Sequence, residues 1–276
     1  MSHLKLQVLL ENTSINAALR SSHGLSLLIH DQDQKILFDT GPNINFKYNA
    51  RKMGESLQDL TAIVISHGHG DHTGGLNYLD LARQPIYAAA TVTQPHYLKL
   101  ASFYKYVGVP QKLLSPLTDH LTTVEELIEI ADNLFLVPLG PTDQTTKNLY
   151  KQQGNTKTID DFEHELMLIN VTAKGLIVIT GCSHHGIVQM ATLALSLFPG
   201  KAIHYLIGGF HLIGLPYINN LGKPKEDIRM IATTLNQLPI NHILSCHCTG
   251  SKAFALLKEE LGKKLAPIRT GDCLLI

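Results

Sequence analysis

Short apolar runs separated by turn residues mark the first third of the chain. They are rich in Val, Ile and Leu, and their lengths predict β-strands at 4–10, 25–30, 35–38 and 62–65. Four polar residues, 31–34, separate the second run from the third, and this spacing is typical of a β-hairpin. We therefore expect a sheet-rich beginning.

Helical patterns follow further along the chain. They predict helices at 91–106 and at 123–131, where Thr123 and Glu126 match a capping box. In the last third, strands and helices alternate, with strands predicted at 175–181, 203–207 and 242–245 and helices at 187–198, 226–238 and 251–261. Such alternation predicts a sheet covered by helices.

A long polar stretch, 138–163, shows neither the helical nor the strand period. A loop of this length inside a compact domain is usually functional or mobile, so we predict a lid. Its Lys147, Tyr150 and Lys151 would suit a phosphate or carboxylate on a substrate. The alternative is a solvated loop with ordinary lysines. Because no repeat or linker divides the chain, we predict a single domain over 1–276.

The composition narrows the class of partner. With 44% hydrophobic and 17% charged residues, the 276-residue chain has the composition of a well-packed globule. The 23 basic residues balance the 23 acidic ones, which argues against binding to long nucleic acids or to an anionic membrane. We therefore expect a small-molecule substrate, and an anionic one would have to be recognised by local charges.

The segment Met1 to Leu6 lacks the features of a signal peptide, and no apolar run approaches the roughly 18 residues of a membrane span. These features predict a cytoplasmic protein. The four cysteines lie towards one end of the chain, at 182, 246, 248 and 273, and are too few for a disulfide framework. We expect reduced thiols.

The segment His67-Gly68-His69-Gly70-Asp71-His72 carries the strongest chemical signal. It places potential ligands directly after the predicted strand 62–65, and imidazole and carboxylate groups bind zinc, iron and manganese. We expect its glycines to adopt backbone conformations closed to other residues. A solvated polar turn is the alternative to a metal site.

Three later strand ends repeat this arrangement of small residues and histidine. They are the segments 181–186, 208–211 and 245–250, which contain His184, His211 and His247. Strand ends at one edge of a sheet are where ligands converge in layered α/β proteins. We therefore expect these histidines to add to the same site.

Together these motifs resemble the metallo-β-lactamase superfamily. The segments 11–14, 23–26, 36–41, 180–184, 208–212 and 247–250 are similar to its branch of 7,8-dihydropterin-6-methyl-4-(β-D-ribofuranosyl)-aminobenzene-5'-phosphate synthase-like proteins. The resemblance spans nearly the whole chain. It implies an α/β (α+β) fold, the four-layer αββα metallo-β-lactamase sandwich, with a dinuclear metal site at its edge.

The resemblance also implies which residues hold the two ions. His67, His69 and His184 would bind one ion, and Asp71, His72 and His247 would bind the other. Zinc is the first choice for both ions, and iron and manganese are alternatives because the same ligands suit them.

Cys182 stands where the superfamily usually has a bridging aspartate. It is either a further ligand or a small thiol packed beneath the site. Cys246 and Cys248 flank His247, and on a strand they would point to the opposite face, so we do not expect them to be ligands.

Three further residues each have two readings. Asp39 would either orient a ligand histidine or cap the turn that follows it. His23 and His211 would either line the pocket or be structural histidines.

The implied reaction is hydrolysis by a water that the metals activate. Asp71 would orient the nucleophile, and His184, His211 or a bound water would protonate the leaving group. We expect a small phosphorylated or ester-type metabolite as the substrate. Two alternatives remain, a synthase that joins a pterin unit to a ribosyl-aminobenzene phosphate and a non-catalytic metal-containing ligand sensor.

Overall fold

The computed structural model describes residues 4–144, 146–215, 218 and 220–276. Residues 1–3, which belong to the segment on which the signal-peptide prediction rests, lie outside the described residues. The chain divides into two compact units, the first formed by residues up to Glu126, Pro138–Leu166 and Arg269–Ile276, the second by Leu127–Val137 and Met167–Ile268. The single domain over 1–276 stays a prediction, because this division does not measure independent folding.

The secondary structure contains strands and short helices throughout. The strands are β1 (Lys5–Leu10), β2 (Ser26–Asp31), β3 (Gln34–Phe38), β4 (Ala62–Val64), β5 (Ile86–Ala89), β6 (His96–Leu100), β7 (Phe103–Tyr106), β8 (Leu121–Val124), β9 (Ile128–Ala131), β10 (Leu134–Pro138), β11 (Leu149–Gln153), β12 (Thr156–Ile159), β13 (Leu166–Thr172), β14 (Gly175–Ile179), β15 (Ile203–Gly209), β16 (Ile240–Cys246), β17 (Leu265–Pro267) and β18 (Cys273–Leu275). The helices are α1 (Asn45–Lys52), α2 (Gly70–Thr73), α3 (Leu114–His120), α4 (Ile187–Leu197), α5 (Lys225–Gln237) and α6 (Ser251–Leu261). Among the helices of the described ranges, none is long and apolar enough to cross a bilayer.

The first unit contains a seven-stranded sheet in the order β18-β1-β2-β3-β4-β5-β8. Strands β3, β4, β5 and β8 are parallel, and β4 is buried along its whole length, which explains its continuous apolar sequence. The predicted hairpin between β2 and β3 is confirmed. Its turn is tighter than expected, because Asp31 pairs with Gln34 and Gln32 adopts a positive φ of 52°.

A second, four-stranded antiparallel sheet in the same unit has the order β12-β11-β6-β7. The prediction of a helix at 91–106 is wrong, because this segment contains β6 and β7. Along β6 the buried His96 and Leu98 alternate with more exposed residues, a period of two that favours a strand.

Two other predictions also need correction. The segment 123–131 contains the end of β8 and β9 instead of a helix, so the capping box at Thr123 is not used. The stretch 138–163 contains β11 and β12, which form a hairpin, so it is not a structureless loop. Thr145, within this stretch, lies outside the described residues. The lid remains a prediction.

The second unit contains a seven-stranded sheet in the order β17-β16-β15-β14-β13-β10-β9. Strands β14 to β17 are parallel, and α4, α5 and α6 connect them as crossovers. The predicted helices at 187–198, 226–238 and 251–261 are confirmed to within one residue. The parallel strands therefore end at one common edge, where the histidine-bearing segments begin.

Asn49 is the polar residue that ties α1 to its surroundings in the first unit. It is fully buried, and its Nδ2 donates to the carbonyl oxygens of Leu9 and Arg20, both at 2.7 Å. Its Oδ1 accepts the backbone N–H of Arg20 at 2.8 Å. The side chain therefore joins the helix to β1 and to the loop that precedes β2.

Replacing Asn49 with alanine should lower the free energy of unfolding by about 3 kcal/mol, because buried backbone groups lose their partners. Urea unfolding followed by circular dichroism would measure the change. Asn155→Ala, at an exposed position in the β11–β12 turn, is the control and should stay within about 0.5 kcal/mol of the wild type. Equal stability of the two variants would contradict this role.

Candidate metal centre

Three histidines of the predicted metal segment are gathered in the first unit. The segment follows β4 and runs into α2, which begins directly after His69. His67 and His72 are fully buried and His69 is 6% exposed. The ring centroid of His67 lies 4.8 Å from that of His69 and 4.1 Å from that of His72. The structure therefore brings three predicted ligands together.

The buried carboxylate of Asp39 organises these rings. Its Oδ1 accepts the backbone N–H of Ser66 at 2.8 Å, and its Oδ2 accepts the Ser66 hydroxyl at 2.7 Å. The same Oδ2 lies 2.6 Å from Nδ1 of His72. Of the two readings of Asp39, these contacts support the orientation of a histidine.

These hydrogen bonds determine which nitrogen of each ring carries the proton. His72 donates from Nδ1 to the carboxylate, so its Nε2 bears the lone pair. Because the Ser66 hydroxyl donates to Asp39, its oxygen accepts from Nδ1 of His67, 2.8 Å away, and Nε2 of His67 bears the lone pair. A carboxylate that fixes a histidine in this way is typical of metal ligands. The donor set of this segment therefore fits a divalent metal ion.

Gly68 has a steric role that differs from the expected one. Neither Gly68 nor Gly70 adopts a positive φ, so the prediction of unusual backbone conformations at these glycines is wrong. A Cβ on Gly68 would lie 2.4 Å from the carbonyl oxygen of Val92 and 3.1 Å from Nε2 of His96. Glycine is required here because there is no room for a side chain.

Asp71 is more accessible than the three histidines of the segment. Its Oδ2 lies 3.4 Å from Nε2 of His23, and the two side chains are 27% and 14% exposed. This contact places His23 beside the predicted ligand Asp71, which supports the prediction that His23 lines the pocket.

Behind His69 lies a cluster that the sequence analysis missed, formed by His96, Asp160 and His164. All three side chains are buried, and the rings of His96 and His164 lie 5.6 and 5.5 Å from that of His69. Burial, and after it the charges of His164 and His96, hold the pKa of His69 well below its ordinary value. His69 is therefore neutral near pH 7, as a metal ligand must be. The sequence offered one signal for this cluster, the separation of only four residues between Asp160 and His164.

In the second unit, the histidine-bearing segments lie where β14, β15 and β16 end. Ser183, His211 and His247 have positive φ values of 55°, 46° and 50°. Residues other than glycine seldom adopt this conformation, and such strain is concentrated at functional sites.

Two of these segments converge on Cys182. The ligand atoms of Cys182, His184 and His211 all lie within 4.8 Å of one another, and the rings of His184 and His211 are 4.2 Å apart. Cys182 and His184 are buried, whereas His211 is partly exposed. This group could hold a metal ion.

Cys248 lies in a position that the sequence analysis excluded. His247 begins a 3-10 turn, His247–Thr249, so the alternation of a strand does not apply there. The ligand atoms of Cys182, His247 and Cys248 lie within 4.8 Å of one another. Although burial raises the pKa of the Cys248 thiol, hydrogen bonds with Cys182 and His211 and the charge of His247 bring it well below its ordinary value. Cys248 is therefore a candidate ligand, contrary to the prediction.

Lys151, a basic residue of the predicted lid, lies beside carboxylates. Its Nζ lies 2.7 Å from Oδ1 of Asp161 and 3.9 Å from Oε2 of Glu163. These carboxylates offset the charge that was expected to suit an anionic substrate. Lys147 is exposed and Tyr150 is partly buried.

Comparison with known proteins supports the resemblance found in the sequence. A profile of the metallo-beta-lactamase superfamily matches residues 21–189. A Methanocaldococcus jannaschii protein named 7,8-dihydropterin-6-methyl-4-(beta-D-ribofuranosyl)-aminobenzene-5'-phosphate synthase is 27% identical over 98% of this chain and 96% of its own length. The resemblance to both the superfamily and this branch is confirmed.

Solved structures show the same fold. Tm1679, a metal-dependent hydrolase of the beta-lactamase superfamily, is 32% identical, with 99% of each chain covered and a TM-score of 0.82. Unliganded yeast PDE1 is 11% identical over the whole of both chains with a TM-score of 0.63, which shows the fold alone. The predicted fold class is confirmed.

The stability of the metal-free protein should depend on His96. Burial, and after it the charge of His164, lowers the pKa of His96 to about 4 despite its hydrogen bond with Asp160. Between pH 6.5 and 4 the unfolded chain binds a proton at His96 that the folded protein does not bind. The free energy of unfolding should therefore fall as the pH is lowered, by up to about 1.4 kcal/mol per pH unit from this residue.

Urea unfolding of chelator-treated protein at several pH values from 4.5 to 7 would measure this slope. The His96→Asn variant keeps an amide that donates to Asp160 but cannot bind this proton. Its free energy of unfolding should therefore depend less steeply on pH, by up to about 1.4 kcal/mol per pH unit. The same slope in wild type and variant would contradict the assignment.

Proposed function

We propose that this chain, which belongs to the metallo-beta-lactamase superfamily, is a dinuclear metal-dependent hydrolase. The observation that carries the proposal is the hydrogen-bond network at Asp39, which directs Nδ1 of His67 and His72 to protein partners. A network of this kind prepares Nε2 of both rings to bind metal. The hydrolase Tm1679, at 32% identity, supports the same class of activity.

We propose the ligand set that the resemblance implies. It consists of His67, His69, Asp71, His72, His184 and His247, with Cys182 as a further ligand or bridge. When bound, two divalent ions would supply Lewis acidity and lower the pKa of a water molecule towards about 7. Zinc is the proposed metal, and iron and manganese suit the same ligands.

The other steps are assigned to residues of this chain. Asp71 would orient the nucleophile, with its Oδ2 held by His23 at 3.4 Å. His184 or His211 would deliver a proton from a ring nitrogen to the leaving group, and their rings lie 4.2 Å apart. His211 has a left-handed backbone, with a φ of 46°, and its ring lies beside that of His184.

We propose that the protein is a cytoplasmic enzyme and that its substrate is a small, phosphorylated or ester-type metabolite. The balanced net charge supports a small molecule over a nucleic acid or a membrane surface. With Lys151 beside Asp161, the exposed Lys147 is the better placed of the two lysines to meet an anionic group.

A second candidate is a synthase that condenses a pterin with a ribosyl-aminobenzene phosphate. The similarity to the Methanocaldococcus jannaschii synthase, which covers 98% of this chain, favours it. In that reaction the metal ions would stabilise charge without activating water. A product that contains both substrates would distinguish the synthase from a hydrolase.

Metal content is the first test of the proposal. Protein purified without chelator should contain about two metal ions per chain by plasma mass spectrometry. The double variant His69→Ala/Asp71→Ala should lose them, whereas His120→Ala, at an exposed position on α3, should retain them. Absence of metal even after supplementation with zinc, iron or manganese would overturn the enzyme proposal.

The metal-loaded protein should then hydrolyse a member of a panel of phosphodiesters, phosphomonoesters and lactones. A condensed product from paired pterin and aminobenzene substrates would favour the synthase. Full metal content without turnover of any compound would favour a ligand sensor.

Asp39→Asn tests the network directly. The side-chain amide of the variant would present either its oxygen, a poorer acceptor than a carboxylate, or its NH2 group, a donor, to Nδ1 of His72. In both cases the His72 ring would lose its fixed orientation. Metal affinity measured by competition with a chromophoric chelator should fall about 10- to 100-fold. Asp33→Asn, exposed in the β2–β3 turn, is the matched control and should not change the affinity. Unchanged affinity in Asp39→Asn would remove Asp39 from the proposed role.

A further inference from the structure

The cluster of His96, Asp160 and His164 lies outside the ligand set proposed above. Its members come from β6 and from the segment that follows β12, and their exposed fractions are 0%, 0% and 1%. Three ionisable side chains buried together require a physical explanation, because burial of charged and polar groups is costly unless they are paired. The segments that carry them belong to, or directly follow, the four-stranded sheet of the first unit.

Asp160 is the centre of the cluster. Its Oδ2 lies 2.7 Å from Nδ1 of His96 and 3.4 Å from Nε2 of His164, and its Oδ1 accepts the backbone N–H of Phe162 at 2.9 Å. Burial alone raises the pKa of this carboxyl group, but the charges and hydrogen bonds of His164 and His96 outweigh burial and lower it. The carboxylate is therefore ionised, and each of its two oxygens accepts a hydrogen bond.

His164 connects this carboxylate to the metal segment. Its Nδ1 accepts the backbone N–H of Gly68, the residue between His67 and His69, at 2.9 Å. Because Nδ1 accepts, the ring proton lies on Nε2 and faces Asp160. Both nitrogens of His164 are therefore committed, one to the backbone of the segment and one to the carboxylate.

His96 closes the cluster on the side of His69. Its Nδ1 donates to Asp160, so Nε2 bears the lone pair, and this buried atom accepts no hydrogen bond. Nε2 lies 3.1 Å from where a Cβ on Gly68 would be. The ring of His96 meets that of His69 edge-on, at an interplanar angle of 87°. It therefore packs against both the backbone and the side chain of the segment.

One possible role of this cluster is to bind a further metal ion. The ligand atoms of His69, His96, Asp160 and His164 lie within 4.8 Å of one another. The hydrogen bonds argue against it. To bind an ion through Nε2, His164 would have to lose its remaining ring proton while Nδ1 still accepted from Gly68. A neutral imidazole cannot supply both lone pairs.

We propose that His96, Asp160 and His164 are positioning residues that hold the His67–His69 backbone and the ring of His69 in the arrangement required for metal binding. The backbone supports the same connection, since Gly70 N–H donates to the carbonyl oxygen of Val107 at 2.8 Å, next to the bridge between His69 and Gly108. The cluster thus anchors the metal segment to the four-stranded sheet. This inference rests on the proposed function only for the identity of the ligand that the segment binds.

The test compares His164→Leu, which removes the acceptor, with His164→Asn, whose side-chain oxygen can replace Nδ1. In metal-free protein, the Gly68 amide, resolved by ¹H–¹⁵N spectroscopy, should exchange about tenfold faster or more in His164→Leu, a loss equivalent to one hydrogen bond. His164→Asn should restore most of the protection. His120→Leu, exposed on α3, should exchange like the wild type.

The second measurement is zinc binding by the same proteins and by Asp160→Asn. His164→Leu and Asp160→Asn should bind zinc about 10- to 100-fold more weakly, with the number of ions at saturation unchanged. Loss of one ion per chain at saturation, with unchanged affinity for the others, would instead identify a further metal site and overturn the positioning role.

Unchanged Gly68 exchange in His164→Leu would also overturn the proposal. If wild-type protein binds no zinc, the proposed function fails, whereas the exchange comparison still decides whether the cluster holds the segment. Should His164→Leu not fold, comparison of His164→Asn with His164→Gln measures the same acceptor, because only asparagine places its oxygen near Nδ1.

Discussion

The hydrogen bonds of the buried Asp39 carboxylate are the interaction on which the first unit's candidate site depends. Asp39 follows β3 and Ser66 follows β4, and the parallel pairing of these strands, with Phe38 opposite Val64, brings the two residues together. Asp39 has a positive φ of 58°, and its carboxylate accepts hydrogen bonds from Ser66 and His72. A buried charge and a strained backbone are both costly, and the hydrogen bonds offset that cost.

In the second unit, too, the parallel pairing of strands brings together side chains that are distant in sequence. Strands β14, β15 and β16 end at one edge, and their connecting segments turn through left-handed residues at Ser183, His211 and His247. Each turn is tied to its neighbour, as when the His211 N–H contacts Cys248 Sγ at 3.2 Å and Phe210 N–H donates to Thr249 Oγ1 at 3.0 Å. Reactive side chains are therefore positioned by the backbone of rigid strands, which limits their motion.

Asp39 and Asp160 play parallel roles around the metal segment. Each is fully buried, and each accepts a hydrogen bond from Nδ1 of a histidine, at 2.6 Å for His72 and 2.7 Å for His96. Asp39 acts on the segment from the large sheet and Asp160 from the small one. The segment is thus supported on two sides by carboxylate–histidine pairs, an arrangement that favours a rigid, preorganised set of ligands.

The sequence by itself determined the strands and helices with clear periodicity, the metal segment, the histidines at later strand ends and the family, because these features are local. It did not determine β6 and β7, since isolated apolar residues at 91–106 satisfy the helical and the strand period almost equally well. Nor could it show that His164 contacts Gly68, because this contact joins residues far apart in sequence. It also could not show that Cys248 lies beside His247 and Cys182, because this depends on the 3-10 turn that begins at His247. The tertiary structure decided them, because only folding brings distant segments to the same buried volume, where every polar group must find a partner.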